Sequence, residues 1–153
     1  FRALRQSADR HGVPFDGVSI QPMLNGGVET MIGVVHDRLF GPIIGFGMGG
    51  TDVEVLGDMR FRLAPLVGRD VAELIAESRA GRLLAAHRGK PAADIEALGD
   101  LLARISALAQ AVPEILELDL NPVIVKAAGH GCHIVDARIR VFPNETAGNL
   151  RRA

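Results

Sequence analysis

Residues Glu114–Val141, EILELDLNPVIVKAAGHGCHIVDARIRV, decide the reading of this chain, because alternation, turn chemistry and oxygen-bearing side chains coincide there. Side chains of a strand point alternately to its two faces. On that rule Leu116, Leu118, Leu120 and Ile124 form an apolar face, and Glu117, Asp119, Asn121 and Val123 point the other way. In the return segment Val135, Ala137, Ile139 and Val141 share one face, and Ile134, Asp136, Arg138 and Arg140 the other. A turn over Ala127–His130, with backbone freedom at Gly129, pairs Val125 with Cys132 and hence Asn121 with Asp136. The stretch therefore predicts a β-hairpin with an apolar face and an oxygen-rich face.

In that register Asp119 and Asn121 lie roughly 6.7 Å apart along their strand, and a residue directly opposite sits about 4.5 to 5.5 Å away. Three oxygen-bearing side chains, Asp119, Asn121 and Asp136, then converge. Carboxylate and amide oxygens on a rigid hairpin suit magnesium, which keeps several waters and shares its other positions with substrate phosphates. The same register places Asp119 opposite Arg138 and Glu117 opposite Arg140, which reads equally as ordinary cross-strand ion pairing on a solvated face. Pro122 adds an indication that the strand is irregular or lies at an edge there.

A length of 153 residues fits one ordinary domain or part of a larger one, and a hydrophobic content of 48% is enough for a core. Basic and acidic residues nearly balance, 17 against 18, so the charge gives no general affinity for nucleic acid or an anionic membrane. The single cysteine, Cys132, excludes an internal disulfide framework. No apolar run is long enough to span a membrane, and no signal peptide is recognisable; a cytoplasmic location is the expectation. Phe1 in place of an initiator methionine predicts that an upstream portion is missing.

The chain opens on an apolar spacing, Phe1, Leu4 and Ala8, that predicts a helix ended by Gly12. Gly17–Leu24 and Val28–His36 read as two strands joined through Asn25, Gly26 and Gly27. Ile43–Met48 is a third apolar run, and Val53–Leu56 and Met59–Leu63 are shorter strand candidates. Beyond Pro65 the period becomes helical. Asp70 and Glu73 resemble a capping box for a short helix to about Arg79, and Leu83 and Leu84 extend its apolar face. After the break HRGKP, Asp94 caps a longer helix striped by Ile95, Leu98, Leu101, Leu102, Ile105, Leu108 and Val112, stopped by Pro113. Two helices across one face of a largely antiparallel sheet make an α+β architecture.

Gly41, Gly45, Gly47, Gly49 and Gly50 form the richest glycine cluster. Glycines let backbone amides approach an anion such as phosphate, but a bulged, strongly curved strand explains the same residues. No Lys-Ser or Lys-Thr ending completes a phosphate loop. The five histidines, His11, His36, His87, His130 and His133, show no metal-ligand spacing, and no nucleophile elbow surrounds Ser19, Ser78 or Ser106. Arg88 reads as a solvated turn residue.

The succession IQPMLNGGVETMIGVVHDRLFGPIIGFGMGGTDVEVLGD, RLAPL, LLAAHRG, ELDLNPVIV and VDARIRV resembles the C-terminal portion of the ATP-grasp domain of ADP-forming (NDP-forming) acyl-CoA synthetases, over about Val18 to Val141. The resemblance implies a partial ATP-grasp domain over residues 1–153, the C-terminal subdomain without its N-terminal counterpart. It implies ATP/ADP and Mg2+ as cofactors. It also implies phosphate exchange between nucleotide and a histidine on a separate domain, coupled to thioester formation with coenzyme A. By position, Gln21, Pro22 and Met23 match the adenine-pocket segment, Glu29 the acidic residue that holds the ribose, and Gly49 and Gly50 the turn near the transferred phosphate. Asn121 and Asp136 match the magnesium ligands, with Asp119 as a neighbouring acidic position. The chain departs from the family in having Asp37 followed by Arg38 where proline is usual. It also lacks both the phosphate-contacting lysine expected before Phe1 and a phosphohistidine segment. The implied partners are the N-terminal ATP-grasp subdomain, the coenzyme A-binding and phosphohistidine domains, and, in a homo-oligomer, a second copy. The alternative function is a ligand-sensing, synthetase-like region of a protein lysine acetyltransferase.

Overall fold

The computed structural model describes residues 1–50, 58–86, 89 and 91–142. Val28–Asp37 alternates Thr30, Ile32 and Val34 with Glu29, Met31 and Gly33, and forms β1, the strand on which the sheet is built. Its inward set is buried. β1 pairs antiparallel with β2 (Gly41–Met48) on one side and with β4 (Ile115–Val125) on the other. β3 (Arg60–Leu63) continues the sheet beyond β2. The return half of the terminal hairpin is divided into β5 (Cys132–Ile134) and β6 (Ala137–Val141), both paired with β4.

The hairpin register expected from the sequence is the one observed. Val125 pairs with Cys132 and Val123 with Ile134, and beyond a two-residue break Leu120 pairs with Ala137 and Asp119 with Arg138. The faces of β4 differ from the simple alternation in an instructive way. Between Thr30 and Ile32 of β1 lies one residue, whereas between their partners Val123 and Leu120 lie two, Asn121 and Pro122. This is a β-bulge, where proline's missing N–H is tolerated. The extra residue shifts the phase, so Val123 and Val125 join Leu118 and Leu120 in the core. Ile124 leaves the apolar set assigned to it. A second bulge near the start of β4, between Ile115 and Glu117, puts Ile115 rather than Leu116 in the core.

Three helices cover one face of the sheet: α2 (Gly68–Glu77), α3 (Arg79–Leu84) and α4 (Ile95–Ala111), following the N-terminal α1 (Arg2–His11). The core fills the space between them and the sheet, with Leu74, Leu84, Leu98 and Leu102 fully excluded from solvent against Ile32, Ile44 and Phe46. Burying one such side chain contributes about 1.5 to 3 kcal/mol. Asp70 occupies the third helical position of α2 rather than its cap, and accepts from Val67 N at 2.9 Å. Asp58, buried and unremarked in the sequence, accepts from Arg79 N at 2.8 Å and satisfies the start of α3. Asp94 caps α4 through Ala97 N at 3.1 Å, and its second oxygen accepts from Gly131 N at 2.7 Å, which ties the helix to the β4–β5 turn.

α1 ends on Gly12 as expected, with φ 63, but buries none of its residues. The strand expected at Gly17–Leu24 does not form. Both edges of β1 are occupied, by β2 and β4, so the expected hairpin of this segment with β1 has no edge to form on. It runs irregularly, with Ile20 and Met23 largely exposed. Val53–Leu56 and Arg88 lie outside the described residues.

The N–H groups of Gly131 and then Ala97 hold the Asp94 carboxyl below the ordinary aspartate range. A depressed carboxylate stabilises the fold fully above its unfolded pKa of about 3.9 and loses that contribution as pH falls through the lower folded value. Asp94→Asn should therefore melt below the parent at neutral pH, with the gap in Tm narrowing as pH drops below about 4. A gap independent of pH in thermal melts contradicts this role.

Candidate functional site

The sheet face away from the helices carries the polar residues singled out above. Asp119 lies opposite Gly33 on β1, where the absence of a side chain leaves room beside the carboxylate. Its Oδ1 is buried and has no hydrogen-bond partner among the described residues. A buried anionic acceptor without a partner is costly and marks a place for a cation or another donor. The two pairings that spacing predicted therefore diverge. Glu117 forms its ion pair with Arg140, whereas Arg138 turns away from Asp119 and pairs with Asp136 at 3.4 Å.

Asn121, at the bulge, uses its Oδ1 to accept from Gly50 N at 2.9 Å. Gly49 N donates to the Glu29 carbonyl at 3.0 Å, and the Glu29 carboxylate lies beside Gly50, so that a Cβ there would stand 2.8 Å from Oε2. Glu29 in turn is the cross-strand partner of Ile124. Ile124 lines a groove of about 410 Å³ with Gln21, Pro22, Met23 and residues His133–Val135. The structure thus links Gln21–Met23, Glu29, Gly49, Gly50 and Asn121 in succession, with Asp119 two residues before Asn121 on β4. Asp136 stands at the break between β5 and β6, at the register position of Asn121, half-exposed and engaged with Arg138.

A cleft of about 600 Å³ is floored by Gly33 and Gly45 and walled by Met31, Met59, Phe61 and Asp119. Glycine keeps this floor flat; a Cβ at Gly45 would stand 2.7 Å from Met59 Cε. Gly33 and the buried Thr30, whose Oγ1 donates to Val123 O at 3.0 Å, were not singled out in the sequence. Gly33 had a signal, an isolated glycine within a strand pattern. Thr30 had none.

Among the described residues no three histidine, cysteine, aspartate or glutamate side chains cluster as a metal centre. The oxygen set instead consists of one unpartnered carboxylate, one amide and a second carboxylate at the break. Oxygen donors of this kind suit a hard divalent cation that takes one or two carboxylates plus water and phosphate oxygens. No helix among the described residues is long and apolar enough to cross a membrane.

The ATP-grasp domain family matches residues 1–141. The chain is 48% identical over 124 residues to acetate–CoA ligase [ADP-forming] I of Archaeoglobus fulgidus, covering 81% of this chain and 18% of that protein. It is 47% identical to the acetate–CoA ligase [ADP-forming] II subunit beta of Pyrococcus furiosus, over 80% of this chain and 52% of that one. Among solved structures, dinucleotide forming acetyl-coenzyme A synthetase 1 of Ca. Korarchaeum cryptofilum, in complex with coenzyme A and Mg-AMPPCP, aligns with a TM-score of 0.74 and 43% identity. That alignment covers 78% of this chain and 55% of the synthetase chain. The chain thus spans between 18% and 55% of the lengths of these three proteins.

Backbone proximity at the glycine turn is directly testable. A Cβ at Gly49 would meet Thr30 O at 2.3 Å, so Gly49→Ala should lower stability by about 1–3 kcal/mol in denaturant unfolding. An unaltered midpoint contradicts this packing.

Proposed function

This chain belongs to the ATP-grasp domain family, and on that premise we propose that it is the nucleotide- and magnesium-binding part of an ADP-forming acyl-CoA synthetase, an acid–thiol ligase. In this reading it is the C-terminal subdomain of the nucleotide clamp. The larger protein supplies the N-terminal subdomain, the phosphate-contacting lysine and a histidine that exchanges phosphate with ATP/ADP. That exchange activates a carboxylate for thioester formation with coenzyme A. Two observations support the family half of the reading: the identity to acetate–CoA ligases, and the likeness to a synthetase bound to coenzyme A and Mg-AMPPCP.

The observation that carries the site half is the unpartnered, buried Oδ1 of Asp119, two residues along β4 from the Asn121 that bonds Gly50 beside Glu29. Gln21, Pro22 and Met23 take the base against Ile124 and the β5 segment. Glu29, exposed at the start of β1, accepts from the ribose hydroxyls, and Gly49 and Gly50 allow backbone to approach the phosphates. Asn121, Asp119 and Asp136 would hold the magnesium, Asp136 exchanging its Arg138 partner for the ion. When bound, the ion neutralises phosphate charge and orients the group to be transferred. The protein's own work is positioning: a rigid sheet fixes the oxygens, and Asn121 couples them to the turn beside the phosphates.

In the full-length protein Asp119→Ala, Asn121→Ala and Asp136→Ala should each reduce magnesium-dependent phosphoryl transfer by about 10- to 1,000-fold, with nucleotide affinity changed much less. Asp119 and Asp136 stand outside the helix-covered core, so their variants should move Tm little, whereas Asn121→Ala also loses the bond from Gly50 N and should lower stability by about 1–3 kcal/mol. Full transfer in all three variants, measured against magnesium concentration, sinks the metal assignment and leaves Asp136–Arg138 as a surface ion pair.

A further inference from the structure

The segment that carries Gln21–Met23 has no place in the sheet, so the question is what holds it over its groove. Between α1 and β1 the chain makes no ladder bonds. Among the described residues, the polar ties from residues 14–27 to the rest of the chain both run to one side chain. Lys126, just past the end of β4, donates through Nζ to the carbonyls of Asn25 and Gly26, the latter at 3.2 Å. The neighbouring backbone is pressed against the same point. Gly27 has φ 104, and a Cβ there would stand 2.6 Å from Ile124 Cγ2 and 2.9 Å from Val125 O. Ile124 is also a wall of the groove under Gln21–Met23.

We propose that Lys126 is a positioning residue for nucleotide binding: its ammonium clamps the Asn25–Gly26 carbonyls to the end of β4 and so fixes Gln21–Met23 over the groove. The inference rests on the reading of Gln21–Met23 as the base-side segment and deepens it. An ammonium carries three donors and no acceptor, and two backbone carbonyls are a fitting charge-assisted partner set. A segment without ladder bonds retains conformational freedom that a ligand has to remove on binding. The clamp removes part of that freedom beforehand and raises affinity without touching the ligand. Lys126 therefore acts on binding and not on the reacting atoms.

The test uses the full-length protein with Mg-ATP as the probe. Lys126→Met keeps the aliphatic stem and removes the donors, and Lys126→Arg keeps donors and charge. Met23→Asp brings a charge to the groove and reports on the base-side reading itself. We expect Lys126→Met to raise KM for nucleotide about tenfold and to leave kcat within about twofold, with Lys126→Arg close to the parent. Tm of Lys126→Met should match the parent, as the ammonium lies on the surface. If Met23→Asp raises KM while Lys126→Met does not, the base-side reading stands and the clamp is overturned. If neither variant moves KM, the base-side reading falls and the clamp with it. Parallel losses in Tm, kcat and KM for Lys126→Met, unrescued by arginine, overturn the positioning role in favour of a general structural one.

Discussion

The extra residue that β4 carries opposite Met31 is the constraint on which the molecule turns. A regular strand through Asn121 and Pro122 would send Val123 and Val125 to the open face once Leu118 and Leu120 faced the helices. The bulge lets both pairs face the core. Asn121, the first residue after Leu120, keeps the open face that alternation gives it, and its amide oxygen there accepts from the Gly50 N–H. One irregularity thus satisfies the packing of α2, α3 and α4 at the point where a polar side chain meets Gly50, seventy-one positions earlier in the sequence. Proline is suited to such a place because it offers no N–H for the ladder to lose.

Much of this was legible in the sequence, for reasons that are local. The turn glycine and the alternation on either side fixed Val125 against Cys132, and counting from there placed Asp119 against Arg138 as observed. Helix periodicity and the Asp94 cap located α4 equally well. What sequence could not carry were the outcomes of competition. Gly17–Leu24 has strand composition, yet both edges of β1 are taken. The phase slip at Asn121 leaves no trace in hydrophobicity, since Val123 and Ile124 are equally apolar. Asp58 as the support of α3 is a contact across twenty-one residues, invisible to any local pattern.

The candidate site was legible in a different sense. Resemblance named the residues, and the structure supplied their contiguity: Ile124 bridges the Gln21–Met23 groove to Glu29, Glu29 abuts Gly50, and Gly50 is bonded to Asn121. Contiguity is what a single ligand spanning base, ribose and phosphates requires. The structure also separates two carboxylates that spacing treats alike. Glu117 is satisfied by Arg140 and Asp119 is left with a buried, unpartnered oxygen.

Because that oxygen carries the metal half of the account, the most direct measurement locates a divalent ion. Crystals of the full-length protein grown with Mn2+ and a non-hydrolysable ATP analogue would give an anomalous difference map. The account predicts a peak within roughly 2.0–2.5 Å of side-chain oxygens of Asp119 and Asn121 and of the nucleotide phosphates. A well-ordered nucleotide with its ion bound elsewhere, and Asp119 still without a partner, would contradict it.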